Sequence, residues 1–345
     1  MNPFWQGKRV FVTSATSFLG TWTALALKEL GAQVFGFAEA PVTSPHLFEL
    51  SNLAENISMT YGDLRDQESL KNVLEFAQAD IVLHIGDSGL LSEADKNSVE
   101  TFSKSVMGTA TLLELMRETA SVRAIVVVSS DKVYQRKDEQ SAFTETDITT
   151  AEQGISPAAK LCAEIVALSY RKTFFTPQKY NKHKIAIATA RTEPAIGGGD
   201  FSPTSLIHQV MRSVLLSVPL DIRHPRSVRP WIHVYDQVRG ILLLAQGLFE
   251  KGPKLEATYN LGGSEYKSIE EALAPILTLQ STHAEEASYS HHGRLNSSKA
   301  EKDLGFKPQW TTEAAIVEIA EWYKDYYSKS FSPAKLQATI KKNFL

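Results

Sequence analysis

Cysteine is almost absent from these 345 residues: the single Cys162 excludes an intrachain disulfide framework and fits a reducing compartment. Long apolar runs are missing as well. The best two, Ala124 to Val128 and Ile241 to Ala245, are core lengths, well short of the ~18 residues that span a bilayer. The N-terminal stretch MNPFWQGKRV has no apolar signal core. Positive charge is not in excess either: the net charge of -3 argues against nucleic-acid binding through a broad basic field. The histidines at 224, 233, 291 and 292 lack metal-ligand spacing and have no cysteine cluster beside them, so no metal is expected. The expectation is a cytoplasmic protein with no membrane or nucleic-acid partner.

Hydrophobic residues make up 43% and charged residues 22%, as in an ordinary globular chain. Strand-like runs recur: RVFVT (9–13), AQVFGFA (32–38), DIVLHIG (80–86), AIVVVSS (124–130) and KIAIATA (184–190). Between them, TWTALALKELG, DQESLKNVLEFAQ, VETFSKSVMGTATLLELMRETA and AAKLCAEIVALSYRKTFF carry apolar residues at helical spacing. Gly31 closes the first as a C-cap. The alternation predicts an α/β fold, a Rossmann-like doubly wound parallel sheet with helices on both faces. Residues 1–190 read as a dinucleotide-binding domain, and 191–345 mainly as a smaller C-terminal substrate-binding lobe, some segments returning to the sheet. The tail KLQATIKKNFL reads as a solvated terminal helix.

Glycine is scarce where it is most expected. The turn after the first strand runs Thr13-Ser14-Ala15-Thr16-Ser17-Phe18-Leu19-Gly20, with one glycine where dinucleotide-binding turns carry three. If position 14 needs positive φ, serine there costs on the order of 1 kcal/mol. A side chain at Ser17 stands near the phosphate position, although its hydroxyl can donate and the helix N-terminus still offers amides.

The stretches FWQGKRVFVT, GDLRD, VETFSKSVMGT, VVSSDKVY, IGGGDF, RPWIHV and SSKAEKDLGFKPQW, in this order from Phe4 to about Tyr323, resemble CDP-glucose 4,6-dehydratases. These belong to the extended short-chain dehydrogenase/reductases, within the NAD-dependent epimerase/dehydratases. The resemblance implies NAD as cofactor and a CDP-linked nucleotide sugar as substrate. It also implies a lyase chemistry: oxidation at C4, loss of water across C5 and C6, and return of hydride to C6, giving a precursor of surface-polysaccharide sugars. Asp131 is then the acid for the 6-hydroxyl, Lys132 the base at C5 and Ser130 a sugar hydrogen-bond partner. Ser14, Ser17, Phe18, Gly20, Asp63 and Lys160 fall on the cofactor side, and Arg229, His233 and Arg294 on the nucleotide-sugar side. Asp63 has a plainer reading as a turn cap. A homodimer is implied, paired through the helices that follow Val99 and Pro157.

Against that pattern, the family's catalytic tyrosine is replaced by Ser156, four residues before the retained Lys160. A serine hydroxyl, with a pKa well above the ~10 of tyrosine, is a poor base at neutral pH. Ser105, Gly86-Asp87-Ser88 and Glu193-Pro194 also depart from the family, and the changes gather around the dinucleotide and O4. Two readings stay open: an enzyme with altered or reduced catalysis that relies on Asp131 and Lys132, or a non-catalytic homologue that binds a nucleotide sugar or a partner protein.

Overall fold

The computed structural model describes residues 3–41, 44–86, 94, 96–135, 141–222, 224–277 and 294–345. Seven strands form its main sheet: β1 Arg9–Thr13, β2 Gln33–Ala38, β3 Ser58–Tyr61, β4 Ile81–Ile85, β5 Ala124–Ser130, β6 Ala186–Thr192 and β7 Thr258–Leu261. Their order is β7-β6-β5-β4-β1-β2-β3, and every pairing is parallel. Chain direction across the sheet reverses between β1 and β4, where a doubly wound fold opens its ligand crevice.

Alternation along β1 sets the two faces. Val10 and Val12 enter one core, with Trp22 of α1 (Phe18–Glu29) and Ile241 of a long later helix. Phe11 points the other way, to Leu70 of α2 (Gln67–Ala77), Leu112 of α3 (Gly108–Met116) and Ala167 of α4 (Ile155–Thr173). That later helix, α5 (Val234–Lys251), lies on the α1 face although it follows the lobe's first segments in sequence. Strands buried on both faces read as nearly continuous apolar runs, which is why β1, β4 and β5 were legible. β3, with no fully buried residue, gave no such run.

β6 runs on to Thr192. One expectation changes: the tail is not a solvated helix. As α6 (Pro333–Phe344) it buries Leu336 and Ile340, and Gln337 donates to Glu29 of α1. Arg239 of α5 donates to the Asn343 carbonyl at 3.0 Å. Two apolar residues one turn apart are too weak a sequence signal to distinguish docking from exposure.

Candidate functional site

All seven strands point the same way, so their carboxyl ends share one edge. The residues just beyond them are Ser14, Glu39, Gly62-Asp63, Gly86, Asp131, Glu193 and Gly262-Gly263. A cavity of about 710 Å³ and a smaller one of about 230 Å³ open along this edge. Ser17, Phe18, Gly86, Lys160 and Pro194 line both. The larger is in the range for cofactor and ligand sites.

The turn keeps a glycine-type backbone without the glycines. Ser14 has φ of 50°, the left-handed region that favours glycine. Ser17 caps α1: its Oγ accepts the Gly20 N–H at 3.1 Å. Gly20 is irreplaceable on geometry, since a Cβ there would overlap the Ser14 carbonyl. The third glycine survives because it is a packing requirement between turn and helix.

At the far end of the larger cavity stands Glu39, a residue the sequence reading passed over. An acidic residue at the end of the second strand, about 20 residues beyond the turn, is the usual ribose ligand of such folds, so the signal was present. Its carboxylate meets Lys104 Nζ at 2.7 Å, and Thr16 Oγ1 donates to its carbonyl at 2.9 Å. Asp63 lines the same cavity and also caps its own turn, accepting the Arg65 N–H at 2.8 Å. The Arg65 side chain holds the Asp63 carboxylate below its ordinary range and extends to Glu100 at 2.7 Å.

Beneath this groove, Thr13 Oγ1 lies 3.0 Å from His84 Nδ1, and His84 Nε2 lies 2.9 Å from Thr109 Oγ1. Thr109 Oγ1 donates to the Ser105 carbonyl at 2.6 Å, inside the π-helical turn Ser103–Met107. Complete burial pushes His84 down to about 4.

The smaller cavity gathers Ser130, Lys132, Ser156, Lys160 and Glu193. Asp131, between two lining residues, is 3% exposed. Ser130 Oγ donates to its Oδ1 at 2.9 Å, and its buried Oδ2 has no hydrogen-bond partner among the described residues. Burial pushes Asp131 up to about 6 against the opposing pull of Lys132, Ser130 and Lys160. A carboxyl so placed can carry a proton into neutral pH.

In the sequence Glu193 is only a departure from the family pattern. It lies one residue beyond β6, is 1% exposed, and its carboxyl ties down three lobe segments. Gly263 donates its N–H to Oε2 at 2.7 Å, Leu295 donates to Oε1 at 3.2 Å, and the Tyr266 hydroxyl also donates to Oε1. Burial pushes Glu193 up to about 8; its hydrogen bonds oppose the shift and the Asp131 charge adds to it. Nothing in the stretch SEYKS pointed to Tyr266, whose role depends on tertiary approach.

Of the residues expected on the nucleotide-sugar side, Arg229 lines the larger cavity, with burial pulling its pKa below the ordinary value. His233 does not line either cavity. Its Nδ1 accepts the Tyr235 N–H at 3.1 Å to cap α5, its Nε2 lies 3.1 Å from Glu318, and its ring stacks on Trp310. Arg294 is exposed, with its guanidinium 4.9 Å from the Tyr266 ring centre, and is outside both linings. Asp87, Ser88, His291 and His292 lie outside the described residues. Among the described residues there is no group of three metal-ligating side chains, and no helix is long and apolar enough to cross a membrane.

Similarity to known proteins agrees with this geometry. Over 333 residues, 93% of this chain and 92% of the relative, the sequence is 35% identical to a CDP-glucose 4,6-dehydratase of Salmonella typhimurium. The fold is similar to that of a dTDP-glucose 4,6-dehydratase from Streptomyces venezuelae solved with NAD: TM-score 0.76, 22% identity, 93% of this chain and 98% of that one. A Bacillus anthracis dTDP-glucose 4,6-dehydratase in complex with NAD gives a TM-score of 0.74 at 23% identity, covering 93% of this chain and 98% of that one. Residues 10–262 match the NAD dependent epimerase/dehydratase family, and the chain belongs to that family.

Proposed function

We propose that the chain is an NAD-dependent nucleotide-sugar 4,6-dehydratase acting on CDP-glucose, with its O4 chemistry altered by the loss of tyrosine. The observation that carries this is the buried Asp131. It is held by Ser130, has one carboxylate oxygen without a hydrogen-bond partner among the described residues, and is flanked by Lys132, which lines the smaller cavity. The overall similarity to a CDP-glucose enzyme favours cytidine as the base.

The residues present fit a dinucleotide. The left-handed turn at Ser14, the space kept open at Gly20, the Glu39 carboxylate and Lys160 between the two cavities are its expected supports. When bound, NAD supplies a reversible acceptor for hydride. The chain's own groups do the rest. Arg229 offers a planar fork to the substrate phosphates. Asp131 protonates the departing 6-hydroxyl, Lys132 takes the C5 proton and Ser130 orients the sugar. Residues 1–190 serve the dinucleotide and 191–345 mainly the nucleotide sugar. Exposed Val99 and Met107 on one helical run, with Ile165 and Leu168 on α4, form an apolar surface suited to the pairing of two copies. Cys162 fits a reducing, cytoplasmic setting.

One observation favours a second reading, a binding protein without turnover. The Ser17 hydroxyl occupies the Gly20 amide, one of the donors that a helix N-terminus offers to phosphate. Purified protein with CDP-glucose and NAD, followed by mass for the 4-keto-6-deoxy product, decides between them. Product establishes the dehydratase; CDP-glucose binding without product establishes the second reading.

A further inference from the structure

Register sets two carboxyls side by side. Ser130 of β5 pairs with Thr192 of β6, and the next residues along are Asp131 and Glu193. Neighbouring strands run about 5 Å apart, so these side chains leave the sheet edge as neighbours. On the other flank, Leu261 of β7 pairs with Thr192, which brings the Gly263 amide to Glu193. Glu193 lines the smaller cavity together with Ser156 and Lys160, where a serine leaves space that a tyrosine ring would fill.

We propose that Glu193 is a catalytic residue that takes up the proton of the sugar 4-hydroxyl, acting with Asp131 as a carboxyl pair that holds one proton between them. This rests on the dehydratase reading above. The proton count closes over a cycle. The sugar O–H bond breaks and an O–H bond forms on a Glu193 oxygen; the electron pair left behind closes the C4 carbonyl, and a bound nicotinamide dinucleotide would supply the acceptor for the C4 hydride. Later Asp131 gives its proton to the 6-hydroxyl, which leaves as water. One proton enters at Glu193 and one leaves at Asp131, and transfer between the neighbouring carboxyls restores the start. Lys132 returns the C5 proton as hydride arrives at C6.

The surroundings fit such a pair. Glu193 faces the donors of Gly263, Leu295 and Tyr266, with the Arg294 guanidinium over the tyrosine ring, while Lys132 and Lys160 sit on the Asp131 side. Neither carboxyl keeps its ordinary acidity: Asp131 is pushed up to about 6 and Glu193 to about 8, so between those values the pair carries a single proton that rests mainly on Glu193, and Glu193 becomes the base when that proton crosses to Asp131. Below the window no base is available, and above it no acid.

The test is the pH dependence of kcat for CDP-glucose in the wild type and in Glu193→Gln. The wild type should give a bell with limbs near 6 and 8. The variant should lose about 100-fold or more in kcat, with CDP-glucose affinity held within about threefold, and keep only a descending limb. Tyr266→Phe leaves the carboxyl in place but removes a donor to its anion, so the upper limb should move to higher pH. In the substrate-free protein, an infrared carboxyl band should titrate near 8 and be missing from Glu193→Gln. Wild-type turnover with a Gln variant that keeps a bell, or loses less than about threefold, overturns the role of Glu193 alone. No wild-type turnover overturns the dehydratase reading together with it. If the Gln variant does not fold, an unmoved upper limb in Tyr266→Phe overturns the pair.

Discussion

The two halves of the carboxyl edge are built by different means. From β1 to β3 the backbone shapes the site: Ser14 holds a left-handed turn without glycine, and Gly20 clears the Ser14 carbonyl. From β5 to β7 the polar side chains are dense and interlocked, with Ser130 on Asp131 and Glu193 on Gly263, Tyr266 and Leu295. A dinucleotide phosphate is held largely by backbone amides and helix polarity, which tolerate a change of side chain while the turn keeps its shape. Proton transfer depends on particular oxygens and their acidity.

Three substitutions test this contrast, beginning with the largest effect. Gly20→Ala forces a methyl against the Ser14 carbonyl, and should cost about 3 kcal/mol of stability and abolish NAD binding. CDP-glucose affinity measured by calorimetry should change little in this variant; parallel loss of both ligands would show that the halves are not separable. Arg229→Ala should do the reverse, weakening CDP-glucose by about 2 kcal/mol while NAD affinity stays put. Ser14→Gly should be the mildest, a gain of about 1 kcal/mol in unfolding free energy, read as a higher denaturant midpoint, from relief of the left-handed serine. No gain there would mean that the turn is no longer strained.

The sheet was largely legible because strands covered on both faces must be apolar throughout: RVFVT and AIVVVSS match β1 and β5 residue for residue. β3 was not, since partial burial leaves no such run, and α6 was misjudged because Leu336 and Ile340 alone secure its docking. Within the candidate site, Ser130, Asp131 and Lys132 are adjacent, so their shared place at the end of β5 could be read along the chain. Glu39 could have been found by its spacing from the turn. The Glu193–Tyr266 contact could not, because 73 positions separate its partners and only the β6–β7 register unites them. His233, in a motif-bearing stretch, stacks on Trp310 and caps α5, contacts that no spacing in the sequence announces.

The hydrogen bonds through His84 run in one sense. Because Thr109 gives its only hydroxyl proton to the Ser105 carbonyl, it must receive one from Nε2. A neutral ring then leaves Nδ1 bare, to accept from Thr13, whose oxygen in turn accepts the Ile85 N–H. A single tautomer therefore fits, and no link can reverse without reversing the others. The π-helical turn at the rim of the groove is keyed in this way to the last residue of β1, immediately before Ser14. Any shift of that rim is thereby passed to the foot of the Ser14 turn without a single charge having moved.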